Sequence, residues 1–137
     1  MDITNAEIFE NDGLWHWRVT TLFGDARGGK MAFSPIGFPT KEGAARNLRL
    51  IAASPTDGQG RSVLPREEID RLIKIAANAC ADCAGLEIAP IRWHEHDSNG
   101  CNWELTFANG DDVRGCFDCI VSTVNALRAT CNIPDEA

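Results

Sequence analysis

The sequence lacks any apolar run near the roughly 20 residues that a membrane-spanning helix needs, so no membrane association is expected. Its opening, Met1 to Asn11, has acidic residues and no basic-then-apolar leader. A cytoplasmic protein with reduced thiols is the expectation that follows. Base is in short supply too: 13 Lys and Arg stand against 20 Asp and Glu, for a net charge of −7. An acidic surface repels phosphate backbones, which argues against direct nucleic-acid binding and favours a protein partner with a basic surface. A phosphate-cradling loop is also missing. Gly24-Asp25-Ala26-Arg27-Gly28-Gly29 follows a strand but leads into another strand, not a helix.

The 137 residues suit one domain or two small units. The charge is uneven: residues 1–53 hold six acids and six bases, and residues 54–137 hold fourteen acids and seven bases. Apolar spacing predicts three helices. The first runs from Thr40, as N-cap, to Ala53. In the second, Pro65 takes the first helical position. Ile69, Leu72, Ile73, Ala76, Cys80 and Cys83 then form one stripe that Gly85 closes. The third spans Phe117 to Thr130, with Ile120, Thr123, Val124, Leu127 and Cys131 on its buried side.

Strands are predicted between the helices. Leu14–Leu22 alternates, with Trp15, Trp17 and Val19 on one face and His16, Arg18 and Thr20 on the other. The turn Asn11-Asp12-Gly13 folds Glu7–Glu10 back against it, and Lys30–Ser34 follows. Later, Glu87–His96 and Asn102–Ala108 form a hairpin. A three-residue loop, Ser98 to Gly100, sets Trp93 opposite Leu105, Ile91 opposite Phe107 and His94 opposite Glu104. That register segregates apolar from polar residues, with Gly100 in the left-handed position. Residues 54–64, with Pro55, Gly58 and Gly60, read as a linker. The expected class is therefore α+β: a strand-strand-helix unit (1–53), a linker (54–64) and an acidic helix-hairpin-helix unit (65–137), with antiparallel sheet packed on helices.

Trp17-Arg18-Val19-Thr20 and Trp103-Glu104-Leu105-Thr106 echo each other, and Gly-Asp follows each at one distance, as Gly24-Asp25 and Gly110-Asp111. The first unit, with Trp15-His16-Trp17-Arg18-Val19, Ala32-Phe33-Ser34, Gly37-Phe38 and Thr40-Lys41-Glu42-Gly43-Ala44-Ala45-Arg46-Asn47-Leu48, resembles the YegP-like family of short bacterial domains. The resemblance covers residues 8–53. It implies a strand-rich sheet with one helix packed across it, often in tandem, and it lends no catalytic residues.

Candidate chemistry centres on the six cysteines. Cys80-x-x-Cys83 and Cys116-x-x-Cys119 have the inner spacing of zinc thiolate pairs, so a structural zinc site is one reading. The helical stripe favours the other, in which reduced cysteines pack as small hydrophobes. His94-x-His96 shares a strand face and could approach a metal, and a small enzyme with a Cys nucleophile and a His base is a further alternative. The favoured expectation is a non-enzymatic protein-binding module without cofactor. Glu104, Asp111, Asp112 and Asp118 form its acidic contact, and His16 and Arg18 form a second one. A homodimer is compatible with it. Small size, acidity and the YegP-like piece also fit the profile of a phage or mobile-element protein that inhibits a host defence complex of the CRISPR type by occupying a basic nucleic-acid site.

Overall fold

The computed structural model of the chain describes residues 2–22, 30–106 and 113–136. Among these residues three helices and a mainly antiparallel set of strands make an α+β fold, divided into two compact units, Met1–Thr56 and Asp57–Ala137.

In the first unit, β1 (Asp2–Asn11) and β2 (Leu14–Leu22) pair antiparallel, with Asn11 opposite Leu14. The two-residue loop between them has Asp12 at φ 53° and Gly13 at φ 80°. Two left-handed residues make the hairpin turn whose twist matches that of the strands, which is why an Asp-Gly pair stands there. β3 (Lys30–Phe33) adds to the other side of β2, giving the order β1-β2-β3. α1 (Lys41–Ala53) packs on β1 and β2. Thr40 caps it by accepting the Gly43 N–H at 3.0 Å. Trp17, Val19, Phe38, Ala44, Leu48 and Ile51 are buried in this unit. The Trp17 indole N–H donates to Asn47 Oδ1 at 2.8 Å, so the largest core side chain carries no unsatisfied donor.

In the second unit, α2 (Arg66–Asn78) and α3 (Val113–Thr130) pack together. Ile69, Leu72 and Ile73 are buried on α2, and Ile120, Val124 and Leu127 on α3. Pro65 is the N-cap of α2 and lies one residue outside the helix, not at its first position. The helix stops at Asn78, so Cys80 and Cys83 do not extend its stripe. They flank and end a separate 3-10 turn, Ala81–Cys83, and Gly85 follows at φ 78°. α3 starts at Val113, ahead of the expected Phe117, which brings Cys116 into its first turns.

Residues 54–64 are not a plain linker. β4 (Ser62–Val63) pairs in parallel with β7 (Cys131–Asn132), and Leu64 is fully buried. This parallel pair departs from the all-antiparallel expectation. The hairpin of β5 (Arg92–Trp93) and β6 (Trp103–Glu104) also differs from its expected register. Trp93 faces Trp103, and Arg92 faces Glu104. The tip is as expected, since the Asp97 N–H donates to Cys101 O at 2.9 Å across Ser98-Asn99-Gly100. Above it, the His94 N–H donates to Asn102 O. Glu95 and His96 are thus two extra residues on one side, and they shift the register by two. A shift of two keeps each side chain on its own face, so Trp93 still meets an apolar partner.

Buried asparagines complete this unit. Asn102 donates through Nδ2 to Ile133 O at 2.7 Å and accepts the Ile133 N–H at 3.0 Å, which imitates a strand edge. Trp103 donates its indole N–H to Cys131 O at 3.0 Å. Both tryptophans of the sequence echo, Trp17 and Trp103, are therefore buried with a satisfied indole. The Gly-Asp pairs of that echo lie outside the described residues. No helix among the described residues is long and apolar enough to cross a membrane.

Candidate functional site

Among the described residues, three places gather chemistry-bearing side chains, one in the first unit and two in the second.

The first is the outer face of the β1-β2-β3 sheet. Strand alternation sends Trp17 and Val19 inward, and it places His16, Arg18 and Thr20 on the opposite face. Arg18 forms an ion pair with Glu7 of the neighbouring strand at 2.6 Å, and its Cζ lies 5.2 Å from the centre of the Phe9 ring. Phe9 in turn stacks on His16, with ring centres 5.6 Å apart and planes 23° from parallel. The pair Arg18–Glu7 is solvent-exposed and adds little stability, about 0–1 kcal/mol. Across β2, Phe33 sits opposite Arg18 and Met31 opposite Thr20, whose hydroxyl donates to the Met31 sulfur at 3.5 Å. Phe33 is 60% exposed and Met31 53% exposed. On this face His16 and Arg18 are expected from the sequence, whereas Met31 and Phe33 are not. Their i, i+2 spacing on an edge strand was the available signal.

The second place is a pair of matching loops, Asp57-Gly58-Gln59-Gly60-Arg61 and Asp97-Ser98-Asn99-Gly100-Cys101. In each, the first carboxylate accepts the backbone N–H groups two and four residues on: Gln59 and Arg61 at 2.9 Å, and Asn99 and Cys101 at 2.8 and 3.1 Å. In each, the fourth residue is a left-handed glycine, Gly60 at φ 80° and Gly100 at φ 88°. The second carboxylate oxygen is also held, Asp57 by Asn132 Nδ2 at 2.8 Å and Asp97 by Arg128 at 3.1 Å. Arg61 ties the loops together by donating to Asn99 O and Arg128 O. A cavity of about 520 Å³ opens among Arg61, Asp97, Asn99, Cys101, Asn125 and Arg128.

The electrostatics follow from these bonds. Burial pushes the Asp57 carboxyl up, but the Arg61 and Gln59 N–H groups, Asn132 and the Arg61 charge together hold it below the usual value. At Asp97 the Cys101 N–H is the largest influence, and it lowers the carboxyl against a smaller effect of burial. Asn99, Arg128 and His94 lower it further. Cys131 is free, and burial raises its thiol to about 11, so it stays protonated at neutral pH. Cys101, the other free thiol, is buried and donates to Trp103 O at 3.3 Å. His94 directs Nδ1 to Glu95 O, not to a cysteine.

The third place overturns the expectation of reduced thiols. Cys80 is bonded to Cys119, and Cys83 to Cys116, with Cα separations of 6.4 and 4.6 Å. The two bonds form adjacent rungs between the 3-10 turn and the start of α3. All four sulfurs are consumed, so in this state they offer no thiolate to zinc. Among the described residues no group of three or more His, Cys, Asp or Glu is placed to hold a metal. Cys119 is exposed, while the other three rung cysteines are buried.

Of the expected acidic contact, Glu104 on β6 and Asp118 on α3 are both exposed. Asp111 and Asp112 lie outside the described residues. No family model, curated protein or solved structure matches the chain.

Proposed function

We propose that this chain is a non-enzymatic protein-binding module and that the outer sheet face of the first unit is its contact surface. One observation carries the reading: Phe33 and Met31 stand exposed side by side on an edge strand, framed by Arg18 and the Phe9–His16 stack. Large apolar side chains grouped in the open are uncommon unless a partner covers them. Aromatic and arginine side chains are also the types that most often anchor interfaces. The face rests on a hydrogen-bonded sheet, so little ordering entropy opposes association. The sheet crossed by α1 is also what supports the likeness to YegP-like domains.

The test is photo-crosslinking in the native host with p-benzoylphenylalanine at position 33. A discrete protein adduct that disappears in an Arg18→Glu background is expected. The same pattern of adducts from the probe at exposed Glu42, on α1, would refute the assignment.

A second reading rests on the second unit, where fourteen acids stand against seven bases and Glu104 and Asp118 are exposed. This supports a partner with a basic surface, and in its finer form an inhibitor that occupies the nucleic-acid groove of a host defence complex. Reversing Glu104, Asp111, Asp112 and Asp118 to lysine should then weaken capture of such a complex, and added salt should as well. Capture that is indifferent to both removes the idea. The paired rungs favour an oxidising compartment over the reducing cytosol, which counts against this finer form of the second reading.

A further inference from the structure

The two rungs look alike in sequence, as one Cys-x-x-Cys bonded to another, but their surroundings differ. Cys83, at the border of an open pocket, is 7% exposed and Cys116 is fully buried, so both residues of the inner bond present little surface. In the outer bond Cys80 is 8% exposed, but Cys119 lies open to solvent on α3. Thiol–disulfide exchange requires a thiolate to reach one sulfur in line with the bond, so access decides which bond reacts and at which atom.

We propose that the Cys80–Cys119 bond is a thiol-exchange site for low-molecular-weight thiols, with Cys119 Sγ as the atom attacked and the Cys83–Cys116 bond as a fixed staple. The attacking thiolate forms a new S–S bond to Cys119 while the old one breaks. The electron pair leaves on Cys80 Sγ, which takes a proton from solvent. A second equivalent of thiol then attacks the external sulfur of this mixed disulfide, releasing the oxidised small-molecule disulfide and leaving Cys119 reduced. The protein disulfide has gained two electrons, and two thiols have been oxidised to one disulfide.

The inner rung makes this reversible. Cys80 and Cys83 are three residues apart, as are Cys116 and Cys119. With Cys83 still bonded to Cys116, Cys80 and Cys119 are held in a small ring and cannot separate far. Closure of so short a loop is far more favourable than closure of the whole intervening chain. Cys80 therefore competes with external thiol for Cys119 and expels it, and the wild-type chain accumulates little mixed disulfide. The remaining cysteines do not interfere, since Cys101 and Cys131 are both buried.

The experiment holds the native full-length chain in glutathione buffers of rising reduced-to-oxidised ratio, then quenches with acid, alkylates and maps the modified peptides. Cys80 and Cys119 should become alkylated together at a ratio at least about tenfold below that needed for Cys83 and Cys116. A Cys80→Ser chain given oxidised glutathione should carry one adduct, on Cys119. A Cys119→Ser chain should acquire its adduct at Cys80 at least about tenfold more slowly, because that sulfur is buried. Simultaneous opening of both rungs, opening of the inner rung first, or equal adduct rates at Cys80 and Cys119 each overturn the proposal. Should a serine variant lose the wild-type circular dichroism spectrum, the wild-type titration decides alone.

Discussion

The Trp17 indole N–H and the Asn47 side-chain carbonyl meet at 2.8 Å inside the first unit, where both residues are almost completely buried. The strand supplies the donor and α1 supplies the acceptor, thirty residues apart, so the bond fixes the helix at one height on the sheet. Replacing Asn47 with leucine removes the acceptor and leaves the N–H buried without a partner. Such a loss costs about 1–3 kcal/mol. Urea unfolding of N47L should show a midpoint lowered accordingly. Trp17→Phe in the same chain removes the orphaned donor as well, so the double variant should lose less than the N47L and W17F losses added together.

The matching loops allow a test with its own internal control. A Cβ added at Gly60 would meet nothing within 4 Å, whereas one at Gly100 would meet Gln59 Oε1 at 1.9 Å. Both glycines have positive φ, so Gly60→Ala carries the left-handed penalty alone, about 1–2 kcal/mol. Gly100→Ala carries the same penalty and must also displace the Gln59 side chain. Its thermal midpoint should fall further than that of G60A. Equal midpoints would show that Gln59 moves aside without cost.

Much of the first unit was legible from local signals. The Asp12-Gly13 turn, the Thr40 cap and the two faces of β2 each depend on residues near one another in sequence. The tip of the second hairpin was legible for the same reason, since Asp97 and Gly100 determine it between them. The errors arose where distant residues decide. Spacing alone lets Cys80 and Cys83 continue the α2 stripe, and only their bonds to α3 show that the chain has left the helix. Ser62 and Val63 look like loop until Cys131 and Asn132 come alongside. The Glu95-His96 bulge leaves side-chain alternation intact, so patterning could not detect it. The loop pair was a missed signal, because Asp at the first and Gly at the fourth position recur at 57–60 and 97–100.

Acid should destabilise the second unit through Asp57 and Asp97. Both carboxyls are lowered in the folded state, while in the unfolded chain they return to about 3.9. Between the folded and unfolded values the unfolded chain binds more protons, so stability rises with pH there. The contribution is fully present above about pH 4–5 and is lost as pH falls through the lowered folded values. Urea midpoints measured from pH 6 downward should fall in that window. In an Asp57→Asn, Asp97→Asn double variant the acid limb should flatten, since neither amide titrates. An unchanged limb would assign acid sensitivity to other carboxylates.

The nesting of the two rungs predicts that their contributions do not add. Each closes a loop in the unfolded chain, with sequence separations of 39 for Cys80–Cys119 and 33 for Cys83–Cys116. Either bond alone removes chain entropy worth about 4 kcal/mol on the loop-closure model. Once one is present, the other closes only a small ring, worth about 2–2.5 kcal/mol on the same model. Exchanging the outer pair for serine should therefore cost the smaller amount, and exchanging the inner pair alone should cost a similar amount despite its deeper burial, apart from any packing change. Removing both pairs should cost more than the two single removals combined. Denaturant unfolding of the three variants checks this, with Cys101 and Cys131 retained in all. If the double removal equals the sum of the single ones, the rungs do not act through a shared loop in the unfolded chain.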